Sequence, residues 1–230
     1  MNLKLPEKIS NFLSDTGFEK KRYRAYKFDI FKKCVSNEIQ FVLKIEKSKR
    51  NTYEDSVKGS RLSAPYPINI TAGPYLCDLE KFMVTYAKYT WKINKMGEGE
   101  IIENPTLYKR FFYNKKTPIS NMDIDGFISW TKAIIDEIQD RPKEYYRYIL
   151  SSLMGCQNVY EGKTNYDPNI LQRGIVLKVL QGESVTKSIE DIYINIREFE
   201  QLKVYGTLTK SWLETISKED IEKWKNLIIK

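Results

Sequence analysis

The chain contains no histidine. That absence excludes Ser-His-Asp and Cys-His activation of a nucleophile, His-ligated zinc and HUH-type nuclease chemistry. Any catalysis would have to run on carboxylates, lysine, tyrosine or a carboxylate-held metal. Cysteine is scarce: Cys34, Cys77 and Cys156 are odd in number, far apart and without C-x-x-C spacing. They predict reduced thiols in a cytoplasmic protein, not a disulfide framework or a zinc site. No apolar run approaches the roughly 18–20 residues a membrane helix needs. The opening MNLKLPEKIS interrupts its apolar positions with charge and does not read as a signal peptide. There is no internal repeat and no low-complexity tract. No motif implies a cofactor or a metal.

What is present suits a globular chain. It has 230 residues, 41% hydrophobic and 13% aromatic, enough to bury a core. The net charge of +8 is unevenly spread: residues 1–120 hold 23 Lys and Arg against 13 Asp and Glu, and residues 121–230 hold 15 against 17. The basic character therefore belongs to the first half and points there to a face for an acidic partner. It is densest in GFEKKRYRAYKFDIFKK, residues 17–33, where Tyr and Phe are threaded between the cations.

The pattern predicts an α+β fold: an antiparallel sheet with helices in the first half and an all-helical second half. LPEKISNFLSDT reads as an amphipathic helix with Ile9, Phe12 and Leu13 as its stripe and Gly17 as its C′ residue. Strands are expected at 23–34, 39–47 and 66–71, with 48–65 a loop. Residues 75–94 read as helix, then strand, and 98–118 as loop or irregular strand. From 121 the apolar period changes to 3.6. Ile124, Phe127, Ile128, Thr131, Ile135 and Ile138 line one helix, and KEYYRYILSSLMG forms a second, its tyrosines read as an aromatic core face with ligand stacking as the alternative. DPNILQRGIVLKVLQG forms a third between Pro168 and Gly182. Ser184 opens a fourth, with Ile189, Ile192, Tyr193, Ile196 and Phe199 inward. Ser217 and Asp220 resemble a capping box for a last helix. The organisation is thus a basic α+β unit over 1–120 and a helical unit, domain or extension, over 121–230.

Three candidate sites follow. Asp29, Lys44 and Glu46 on adjacent strands resemble the carboxylate-plus-lysine set of a metal-dependent nuclease. Such sites usually place Glu-x-Lys on the second strand, whereas Lys44-x-Glu46 runs in reverse. A two-residue turn at Ser36–Asn37 offers a plainer account. It sets Phe28 opposite Ile45 and Ile30 opposite Leu43 on the apolar face, and pairs Asp29 with Lys44 and Lys27 with Glu46 on the other. Cys34 falls by parity on the apolar face. A break near YIN (193–195) admits a helix-turn-helix, but the acidic second half and REFEQL favour a buried amphipathic helix. Finally, Lys20, Lys21, Arg22 and Arg24 have only Glu19 as a nearby carboxylate. With Lys47, Lys49 and Arg50 they would gather at one end of the sheet as a partner-binding edge.

A helix ending in GFEKK, then EIQFVLKIEKSKR, then PYPINITAG follow one another in an order that resembles the DUF4304 family of small bacterial domains. The resemblance covers only about the first 120 residues and transfers no functional residues. It implies an α+β domain found near toxin–immunity and defence genes, binding rather than catalysing. The resulting expectation is a non-enzymatic cytoplasmic binding protein of the immunity or defence type. It would dock an acidic protein or a nucleic-acid-bearing complex, and no membrane, through its basic half. Direct nucleic-acid binding is the first alternative, and a metal-dependent nuclease the second.

Overall fold

The computed structural model describes residues 5–22, 28–47, 68–86, 105–113, 124–154, 157–160, 163–166, 168–195 and 200–228. Helix α1 (Glu7–Asp15) leads into five strands: β1 (Glu19–Arg22), β2 (Phe28–Cys34), β3 (Ile39–Lys47), β4 (Ile68–Leu76) and β5 (Lys109–Tyr113). Helix α2 (Cys77–Tyr86) lies between β4 and β5. The strands form one antiparallel meander in the order β1-β2-β3-β4-β5. Six helices are described after residue 120: α3 (Ile124–Asp140), α4 (Pro142–Met154), α5 (Pro168–Leu180), α6 (Val185–Asn195), α7 (Glu200–Leu213) and α8 (Lys218–Ile228). A small hairpin, β6 (Gln157–Tyr160) with β7 (Lys163–Tyr166), interrupts them. The α+β class and the split between a sheet-bearing first half and a helical second half are as expected.

Local signals behave as their chemistry requires. Gly17 closes α1 at φ +74°, and the N–H of Phe18 reaches back to the carbonyl of Leu13. Gly182 does the same after α5 at φ +98°. Oγ of Ser184 accepts from the N–H of Lys187 at the start of α6. Oγ of Ser217 accepts from the N–H of Asp220 and donates to its carboxylate at the start of α8.

The register of the first hairpin corrects the expected one. Phe28 lies opposite Glu46, Asp29 opposite Ile45 and Ile30 opposite Lys44. The turn is the cause. The N–H groups of Val35 and Ser36 both donate to the carbonyl of Ile39, which leaves a three-residue loop in place of two. Oγ of Ser36 holds that loop by accepting from the N–H groups of Glu38 and Ile39. A slip of one residue exchanges the faces of a strand. Phe28 and Ile45 therefore lie on opposite faces. Phe31, with Phe41, Leu43 and Ile45, joins the main core, while Ile30 and Val42 form a second cluster with Tyr75 on the other face. Cys34 is exposed, not packed.

Other boundaries differ as well. Residues 19–22 are a separate edge strand rather than the lead-in to 23–34, and 23–27 lie outside the described residues. Strand β4 runs on to Leu76. Helix α6 is described to Asn195 and α7 from Glu200, and Ile196 and Phe199 of the expected stripe lie outside the described residues. The loop expected at 48–65 and the strand expected beyond Tyr86 lie outside the described residues.

The main core draws on both halves, from Ile9 on α1 to Ile216 after α7. Its axis is α5, where Ile170, Leu171, Ile175, Val176, Leu177, Val179 and Leu180 are all buried. Each such side chain contributes about 1.5–3 kcal/mol of transfer free energy. A helix apolar on nearly all sides belongs in an interior, and Gly174 lets it approach α4, where a Cβ would sit 3.0 Å from the carbonyl oxygen of Leu153. Helix α2 is one contact from the first half, beside the packing of Phe41 and Phe111 on Trp130. Phe82 packs edge-on against Trp212 and Trp224, and the indole N–H of Trp212 donates to the carbonyl of Tyr86 at 2.9 Å.

Candidate partner-binding edge and aromatic cleft

The described part of the basic edge is β1, at the margin of the sheet. Among the described residues no strand pairs with its outer side. Lys20 and Lys21 are exposed and alternate across the faces, Lys20 opposite Phe31 and Lys21 opposite Ile30. Lys20 differs from its expected state because a carboxylate reaches it: Nζ lies 2.7 Å from Asp29 and stands 5.3 Å over the ring of Phe31. Arg22 lies opposite Asp29 and Lys47 opposite Ile68 at the strand ends. Arg24, Lys49 and Arg50 lie outside the described residues, so the structure assembles only part of the expected cluster.

The nuclease-like set is taken apart by the same register. Asp29 and Glu46 fall on opposite faces of the sheet and cannot share a metal ion. Asp29 is held by Lys20, and Glu46 by Lys44 on its own strand at 2.7 Å. The expected pair of Asp29 with Lys44 is therefore replaced, and Lys27 lies outside the described residues. Among the described residues no group of His, Cys, Asp and Glu could hold a metal. No helix among them is long and apolar enough to cross a membrane.

Two internal charge clusters have structural accounts. Glu80 on α2 is buried and accepts both Nε and a terminal N–H of Arg173 on α5, at 2.6 and 2.7 Å. Thr106 donates to the same carboxylate at 2.8 Å and accepts the N–H of Leu76 at 2.9 Å. Lys178, also on α5, bonds Asp191 and Glu183. Burial works against its charge, but these two bonds outweigh that and raise its pKa. The bond from Lys178 in turn holds Asp191 below the usual carboxylate value.

A concave feature that the sequence reading missed lies where the end of the sheet meets α3 and α4. This cleft of about 440 Å³ is lined by Gly73, Pro74, Leu107 and Tyr108 on one side and by Trp130, Ile134, Tyr145 and Tyr148 on the other. The segment 105–107 is pressed against β4 so closely that a Cβ on Gly73 would lie 2.0 Å from the carbonyl oxygen of Leu107. The tyrosines of α4 do not share one core face. Tyr145 is buried, Tyr148 is 58% exposed, and their ring centroids are 5.5 Å apart. Burial raises the pKa of Tyr145, so its phenol stays protonated and able to donate. The available signal was the spacing of Tyr145, Ile149 and Leu153, which leaves Tyr148 off the buried stripe. A second groove, between α1 and α3, is bridged by the ion pair of Lys8 with Asp125 at 2.9 Å. No family model, curated protein or solved structure matches the chain.

Proposed function

We propose that this is a non-catalytic, cytoplasmic binding protein of the immunity or defence type, and that it docks an extended acidic segment of a protein partner along β1. The observation that carries the reading is the coincidence of the charge excess of residues 1–120 with a sheet edge that no described strand covers. An edge strand presents main-chain donors and acceptors to an incoming strand, and its side chains select the partner. Lysines on such an edge attract an acidic segment and speed its encounter, with a salt dependence set by a Debye length of roughly 8–10 Å. The same lysines also discourage two copies from pairing edge to edge, which is the plainer role of a charged edge. Lys20 is paired with Asp29 and Lys21 is also engaged, so the reading rests on the summed charge of the edge and not on any free cation.

The test compares a labelled acidic β-forming peptide with a short single-stranded DNA by fluorescence anisotropy, at about 50 and about 200 mM salt. The triple variant Lys21→Glu, Arg22→Glu, Arg24→Glu leaves the Lys20–Asp29 pair intact. It should lose most peptide affinity and most of its salt slope, with protection of the β1 amides from hydrogen exchange seen only in the wild-type complex. Tighter binding of the DNA, with a slope that falls by about one per phosphate contact removed, would replace the partner by nucleic acid. Unchanged peptide binding in the variant would reduce the edge to a solvated strand.

A further inference from the structure

The cleft at the end of the sheet has a chemistry unrelated to the basic edge. Its centre is Lys109. By register Lys109 lies opposite Ala72 and two residues before Phe111, on the sheet face that buries Ala72, Leu43 and Phe111 under the helices. A lysine on that face would ordinarily pair with a carboxylate or reach past the core to water. Among the described residues no carboxylate pairs with it. Its Nζ stands 5.5 Å from the ring centroids of both Phe111 and Trp130. Those rings, whose centroids are 5.1 Å apart, hold the ammonium at the border of a cleft otherwise walled by Trp130, Ile134, Tyr145 and Tyr148.

We infer that this cleft binds a small planar aromatic carboxylate. The volume of about 440 Å³ lies within the range of small-molecule sites and is too small for a macromolecular segment of any length. Flat aromatic walls with an exposed tyrosine at the rim select a ring that can stack. One ammonium, with no second cation among the lining residues, suits a single negative charge better than a phosphate carrying two. No acidic side chain lines the cleft to repel the anion.

The experiment titrates the full chain calorimetrically with indole-3-acetate, phenylacetate and benzoate, and with neutral indole-3-acetamide. Saturable binding of at least one acid is expected. Binding of the amide, and of the acid to Lys109→Met, should be weaker by about tenfold or more, the scale of a lost charge-assisted hydrogen bond. Lys109→Arg should retain binding. Tyr148→Ala, a change at an exposed position that leaves the fold intact, should weaken every aromatic acid. Ser152→Phe should abolish binding by filling the cleft. The inference is overturned if none of the three acids binds saturably below about 10 mM. It is equally overturned if acid and amide bind alike, or if Tyr148→Ala and Lys109→Met bind as the wild type does. Thermal melts of each variant separate loss of the site from loss of the fold.

Discussion

Replacing Glu80 by alanine should destabilise the chain far more than a typical ion-pair deletion. The carboxylate is 7% exposed and accepts two bonds from Arg173 and one from Thr106. Removing it takes two charge-assisted bonds from a guanidinium that is only 20% exposed and leaves the hydroxyl of Thr106 without that acceptor. Breaking a fully buried pair from one side costs about 3–5 kcal/mol. The partial exposure of Arg173 places this one near the lower limit, about 3 kcal/mol. For a chain of this length each kcal/mol moves Tm by about 2–4 °C, so a drop of about 6–12 °C is expected. Urea unfolding followed by circular dichroism and tryptophan fluorescence measures it, with an unchanged slope confirming that only stability moved. The double variant Glu80→Leu, Arg173→Met is the sharper part. Replacing both partners by apolar side chains removes the half-matched charge as well, and most of the lost stability should return. A loss below about 1 kcal/mol in Glu80→Ala, or a double variant no better than Glu80→Ala, would refute the view that the pair is a buried, mutually dependent unit.

Gly73→Ala should cost about 2–3 kcal/mol, because the atom it meets is the backbone oxygen of Leu107 and no side chain can move aside; equilibrium unfolding checks it. Maleimide at neutral pH should modify Cys34 well before Cys77, since Cys34 is exposed while burial pushes the Cys77 thiol up to about 11; peptide mass spectrometry after timed quenching reads the order. Stability should decline as pH falls below about 4. The depressed pKa of Asp191 means that its contribution is present above the ordinary carboxylate value and is lost as the folded-state group takes up its proton. Asp191→Asn should flatten that acid limb in thermal melts across pH.

How far the fold could be read varied with how local the deciding interaction was. The limits of α5 were legible because Pro168 and Gly182 act through their own backbone. The caps Ser184 and Ser217 act within three residues and were equally legible. The hairpin register was not. Val35, Ser36 and Ile39 set a three-residue loop where two residues were expected, and the extra residue exchanged the faces of β2. Helix α7 and the hairpin β6–β7 were missed because their apolar patterns are short or broken. The basic edge was readable as charge, but its pairing was not, because Asp29 reaches Lys20 across strands whose boundary was unmarked. The cleft was invisible for a related reason. Lys109, Trp130 and Tyr148 come from three separate elements, and only the tertiary packing brings them together.

The link from Glu80 to Arg173 and Thr106 also governs how such a chain can change over generations. The ionic partners are 93 positions apart in sequence, yet exchanging either alone takes two charge-assisted bonds from the one that stays. Gly73 is tied to the same neighbourhood, since the segment that carries Thr106 and Leu107 can lie against β4 only while position 73 lacks a side chain. Helix α5 offers little outer surface on which substitutions could accumulate freely. Drift should therefore be concentrated in α8 and the outer faces of α1 and α3, and changes at 80, 106 and 173 should occur jointly or not at all. Divergent descendants of this chain would be traced more securely through that coupled set than through its lysine-rich surface.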